Sequence, residues 1–177
     1  MKWEKIGKIF NPNDHDLSNN CFGYAQSPQV LELDDVIRVN FSTRELDENG
    51  KFLSHVSFVD YTKDFKELIK VSDKTVIPLG ALGCFDEHGI FPFSVTKHED
   101  KIMAYTTGWN RKQSVSADAS IGLAYSNDNG LTFEKFGKGP VMTSSLHEPF
   151  IVADAFVKNF NELYYMFYIY GVRWIND

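Results

Sequence analysis

The chain has 177 residues, 18 Lys and Arg against 24 Asp and Glu, a formal net charge of −6 and a pI near 5.3. That length holds one domain with a sizeable core, and the acidic balance without any basic run excludes a nucleic-acid backbone as partner. No apolar stretch reaches the roughly 18 residues of a membrane-spanning helix, and MKWEKIGKIF lacks the apolar block of a signal peptide, so a cytoplasmic location is expected. The two cysteines, Cys21 and Cys84, form no zinc or redox spacing and are read as reduced thiols, with no metal and no cofactor implied. An aromatic content of 15 per cent suits half-buried strands and also the stacking of rings on sugars.

Trp3 to Phe10 alternates weakly and reads as a lone strand before a polar loop, Asn11 to Asn20. Strands follow near Pro28–Glu32, Val36–Thr43, Ser54–Asp60 and Leu68–Val76, with a turn at Asp34-Asp35. Thr62 to Lys70 is the best helical candidate, but it is short and lacks a sustained 3.6-residue stripe. Gly83 to Trp109 then gives an acidic, His-bearing loop, a strand at Ile90–Val95, a turn at Lys97–Lys101 and a strand at Ile102–Thr107. Ser126 to Phe133, SNDNGLTF, has the pattern of an Asp-box turn. There Asp128 accepts backbone N–H groups, Gly130 takes positive φ and Phe133 plugs the layer beneath; Val59 to Phe65 is a degenerate counterpart. His147 to Gly171 repeats the loop, apolar run, turn at Lys158–Glu162 and aromatic strand.

Three hairpins recur at a fixed distance. Pro28, Pro92 and Ala155 stand 64 and 63 residues apart, Ile37, Ile102 and Tyr164 65 and 62 apart, and Cys21, Cys84 and His147 63 apart. A period of this length with several short strands per repeat predicts propeller blades rather than a helical solenoid. The expected division is an N-terminal strand and loop (1–23), blade one (24–82), blade two (83–146) and an incomplete blade three (147–177). The aromatic strand Tyr164–Tyr170 reads as buried on both faces, so self-association through the exposed edge of blade three is expected.

The segments YAQSPQVL, VIRVNFSTR, LGCFDEHGIFPFSV, AYTTGW, SIGLAYSNDNGLTFEKFGKGPV and SSLHEPFIVADAFV resemble the N-terminal half of bacterial glycosylase-like proteins found with polysaccharide biosynthesis genes. These belong to the five-bladed propeller superfamily of arabinanases, levansucrases and invertases, which is glycoside hydrolase family 43-like. The resemblance implies an all-β, five-bladed propeller fold, here truncated to about two and a half blades, and a carbohydrate substrate. It also implies Asp, Asp and Glu near the starts of the first three inner strands. Those places fall at Ser27, Phe91 and Asp154 or its neighbour Ala153, so only Asp154 matches. Asp86 and Glu87 in blade two and Glu148 in blade three supply other carboxylates on the loops, and glycoside cleavage needs two such groups, an acid and a base or nucleophile. The candidate catalytic residues are therefore Asp86, Glu148 and Asp154, expected to face one solvent-filled pocket. Gln26, Arg44, His88, Trp109 and His147 are candidates for binding substrate through an amide, a guanidinium, imidazoles and a stacking ring. Two readings stand: a glycosidase using paired carboxylates, and a glycan-binding propeller that does not cleave.

Overall fold

The computed structural model describes residues 2 to 175 and is almost entirely β. Helix is confined, among the described residues, to two three-residue 3-10 turns, Pro12–Asp14 and Ser18–Asn20. The first sheet is an antiparallel meander of β1 (Phe22–Glu32), β2 (Ile37–Leu46), β3 (Phe52–Tyr61) and β4 (Leu68–Val71). The second repeats it with β5 (Gly89–His98), β6 (Lys101–Arg111), β7 (Ala117–Ser126) and the short β8 (Glu134–Lys135). A final hairpin pairs β9 (Val152–Phe160) with β10 (Leu163–Tyr170). The two four-stranded meanders touch along their ladders at a single parallel pair, Ser54 with Gly89.

Stacking follows from alternation. On β6, Ile102 and Ala104 are buried towards the first sheet, where they join Leu31, Val56 and Phe58, together with Phe93 of β5, in the largest core cluster. On the next strand Ile121 packs the other way, against Val152 and Ala155 of the hairpin. The second sheet thus buries both faces, one per neighbour, as propeller blades do. The first strands β1, β5 and β9 lie side by side, in that order. Among the described residues the ring is not closed, and the fold is a partial propeller.

Two polar devices tie the first sheet to the second. Arg38 pairs with Asp60 through two 2.7 Å hydrogen bonds, lies over the Phe58 ring and donates 2.9 Å to the Asn129 carbonyl in the Ser126–Phe133 turn. Arg111 reaches back to Asp47 at 2.8 Å and to the Phe52 carbonyl. Gly89 is small by necessity, since a Cβ there would stand 2.2 Å from Trp109 Nε1 and 2.6 Å from Ser54 Cβ.

Two expectations need correction. Trp3–Phe10 is not a strand. No ladder partner stands beside it, Gly7 turns at φ 93°, and Trp3 is 92% exposed. Only its end is fixed, where Ile9 accepts a hydrogen bond from Tyr61 Oη and Phe10 packs on Phe41. The Tyr164–Tyr170 strand is not buried on both faces either: Tyr164, Tyr165, Phe167, Ile169 and Tyr170 are exposed, and Met166 and Tyr168 alone turn inward against the second sheet.

Candidate functional site

All three first strands break their ladders at the same place in the repeat. Register shifts fall between Gln26 and Gln29 on β1, between Ile90 and Phe93 on β5, and around Asp154 on β9, opposite the step from Phe167 to Ile169. Ser27 and Asp154 there adopt left-handed backbone, φ 48° and 57°. Such angles cost a residue other than glycine about 1–2 kcal/mol, and they re-aim side chains out of the pleat. Ser27, Phe91 and Asp154 are 64 and 63 residues apart.

Gln26 and Arg44, two of the candidates for binding substrate, meet here. Arg44 Nη2 donates to Gln26 Oε1 at 2.5 Å and Nη1 to the Thr43 carbonyl at 3.1 Å. Its guanidinium lies 4.9 Å from the centre of the Phe91 ring and 5.9 Å from that of Tyr24, so it links β1 and β2 to the start of β5. Burial pushes the Arg44 pKa down from its ordinary value. Tyr24, Phe22 and Phe52, which the sequence reading passed over, form a cluster with ring centres 5.5 to 6.2 Å apart.

Asp154 is held by its own backbone, whose N–H donates to Thr107 Oγ1 at 2.8 Å. Its residue surface is open, yet the carboxyl is desolvated enough to raise its pKa above the ordinary value. Glu148, half-buried, accepts a 2.7 Å hydrogen bond from Tyr168 Oη, and Ser145 Oγ stands 3.5 Å from its other oxygen. His147 beside it is exposed.

Asp86 stands elsewhere. It is 1% exposed, and Lys135 Nζ on β8 lies 2.5 Å from its Oδ2, in charge contact though outside hydrogen-bond angles. Gly80 and Gly108 make room for it, since a Cβ on either would collide with Asp86 atoms at 2.2 and 2.5 Å. Successive residues of a strand point to opposite faces. Asp86 lies on the Gly108 face of β6 and Asp154 on the Thr107 face, so the sheet stands between them and the expected convergence of three acids does not occur. Asp86 instead borders a cleft of about 450 Å³ that includes Leu79, Cys84, Phe133 and Lys138.

His88 and Trp109 are also used for packing. The Trp109 indole donates to Ser54 Oγ at 3.0 Å and stacks on His88, whose Nδ1 accepts from the Arg111 N–H and whose carbonyl accepts from the Ser54 N–H. Glu87 accepts from the Gly83 N–H within its own turn. Both cysteines are free thiols, and burial pushes that of Cys21 up to about 12. No group of three or more metal-ligating side chains occurs among the described residues, and no helix there is long and apolar enough to cross a membrane.

No family model matches the chain. It is 28% identical over 174 residues to the uncharacterized protein Rv1502 of Mycobacterium tuberculosis (strain ATCC 25618 / H37Rv), covering 98% of this chain and 56% of that relative. The chain thus spans little more than half the length of this relative. Among solved structures, it is similar to Zg3597, a family 117 glycoside hydrolase of Zobellia galactanivorans. The TM-score is 0.59 at 22% identity, over 84% of this chain and 43% of the other. It also resembles sucrose-6-phosphate hydrolase from Lactobacillus gasseri, with TM-score 0.66 and 14% identity over 94% and 31%. A third likeness is to a β-1,2-mannobiose phosphorylase from Listeria innocua, with TM-score 0.62 and 12% identity over 96% and 58%. These likenesses place the fold among those of β-propeller glycoside hydrolases.

Proposed function

We propose that the chain is a carbohydrate-active propeller segment that binds a glycan where β1, β5 and β9 begin, with Gln26 and Arg44 on one side and Asp154 and Glu148 on the other. The observation that carries this reading is the coincidence of three ladder breaks at one repeat position, two of them with left-handed residues, beside exposed aromatic rings. Left-handed backbone kept at equivalent places in the first and third repeats points to a site, because packing alone favours regular ladders. In a glycosidase reading, Asp154 is the proton donor, since its pKa is displaced in the direction a general acid needs. Glu148, oriented by Tyr168, is the second carboxylate. Asp86 has no part in it.

A binding module without turnover is the second reading, favoured by one observation. Ser27 and Phe91 occupy the places equivalent to Asp154 and carry no acid. The test is a panel of oligosaccharides assayed for both binding and reducing-end release, with Asp154→Asn and Glu148→Gln. Cleavage lost by orders of magnitude with binding retained marks the glycosidase; binding without cleavage in every form marks the module. Absence of both contradicts the proposal.

A further inference from the structure

Arg44 is a cation without a counter-charge among the described residues. Of the guanidinium groups drawn into the sheets, Arg38 is matched by Asp60 and Arg111 by Asp47. Arg44 is half-buried, yet it meets only neutral acceptors, the Gln26 amide oxygen and the Thr43 carbonyl. The adjacent Glu45 points to the other face of β2, where its carboxylate binds His55 Nε2 at 2.8 Å. No carboxylate among the described residues lies within ion-pair distance of Arg44. A guanidinium taken partly out of water is stabilised by an anion that matches its fork, and a neutral hydroxyl leaves the charge uncompensated.

The surroundings are built for a ring that carries such an anion. Phe22, Tyr24 and Phe52 are 41%, 45% and 43% exposed, a cluster of open rings touching the Arg44 site through Tyr24. Gly23, Tyr24 and Ser27 all have positive φ, which lifts this part of β1 out of the β2 ladder and turns it towards solvent. Aromatic faces take the apolar face of a pyranose.

Resting on the glycan reading above, we propose that the site selects an anionic sugar: a carboxylate or phosphate borne by the glycan seats on Arg44, with Gln26 holding the guanidinium and the sugar ring lying against Tyr24. The shared chemistry is an oxyanion on a pyranose, which either a uronic acid or a sugar phosphate supplies.

The experiment uses the 177-residue chain and matched glycans: gluco-oligosaccharides, the same oligosaccharides containing glucuronic acid, and their 6-phosphates, measured at low and high NaCl. Wild type is compared with Arg44→Met, Arg44→Lys and Tyr24→Ala, each checked for an unaltered melting transition. The expected result is a preference of about tenfold or more for acidic members, weakened by salt, lost in Arg44→Met and partly kept in Arg44→Lys. The carboxylate and phosphate arms show which oxyanion is taken. The salt response of wild type stands even if a variant fails to fold. Neutral and acidic members bound equally, without salt dependence, would overturn the anionic assignment and leave glycan binding intact. No member bound would overturn both.

Discussion

Asp86 and Asp154 are both Asp in the same kind of repeat, and their surroundings give them opposite uses. Asp86 neutralises Lys135 in an interior cleft, so Asp86→Ala leaves a partly buried ammonium unmatched. Removing one partner of a buried pair costs about 3–5 kcal/mol; the lower figure applies here because Lys135 keeps 18% of its side chain in solvent. The melting midpoint is expected to fall by on the order of 10 °C, with glycan binding per folded molecule unchanged, and Asp86→Leu with Lys135→Met should restore much of the loss. A scanning-calorimetry midpoint unchanged in Asp86→Ala contradicts this. Asp154 behaves in reverse. Its folded pKa is raised above the unfolded value of about 3.9, so the folded chain holds the proton more tightly and stability falls as pH rises from that value through the folded pKa. Asp154→Asn should therefore melt higher than wild type at pH 7, with the gap closing below about pH 4. A gap of the same size at both pH values would mean that burial of the charge is not the cause.

Turns and strands were legible because their signals are local. Asp34-Asp35, Lys158–Glu162 and the alternation on either side mark the hairpins, although the last turn narrows to Asn161-Glu162 because β9 runs on to Phe160, and the turn at Ser126–Phe133 forms as its residue types dictate. Asp128 accepts hydrogen bonds from the Leu131 and Thr132 N–H groups and the Thr132 hydroxyl, Gly130 sits at φ 78°, and Phe133 meets Phe93 edge to face. Thr62–Glu67 repeats the device, with Asp64 accepting from the Thr62 hydroxyl and the Lys66 N–H and with Phe65 at φ 59°. Burial raises the Asp128 pKa, and the hydrogen bonds from Ser126, Thr132 and the backbone outweigh it, leaving the value below the ordinary one. That contribution is present above about pH 4 and is lost as pH falls below it. Asp128→Ala should cost about 1–2 kcal/mol at pH 7, and less in acid, by denaturant titration at the two pH values. What was not legible depends on partners distant in sequence. Lys135 follows Asp86 by 49 residues and Ser54 precedes Trp109 by 55, so no spacing rule joins them. Trp109 therefore reads equally well as a sugar platform or as packing, and only the stack of two sheets decides for packing. Gln26 and Arg44 are singled out in the sequence by the hydrogen bonds an amide and a guanidinium can make, and it is the pairing of β1 with β2 that brings the two side chains together.

The repeat of about 63 residues sets the architecture, since each period yields a sheet that buries both faces only between neighbours. That requirement is met for the second sheet and unmet at the outer face of the β9–β10 hairpin, where Phe156, Phe160, Leu163, Tyr165, Phe167 and Ile169 are exposed. A β10 edge with no ladder partner among the described residues, beside such a surface, should make the 177-residue chain self-associate, seen by light scattering as a mass above the monomer that grows with concentration; a monodisperse monomer would contradict this. The central claim is that the starts of the three first strands form one glycan site. Its most direct test is amide chemical-shift mapping during titration with the best-binding oligosaccharide of the panel. The expected shifts fall at 22–27, 44, 89–92 and 148–155, three separate repeats responding to one ligand. Shifts confined to the cleft at 78–86 and 133–138, or to a single strand, would contradict it.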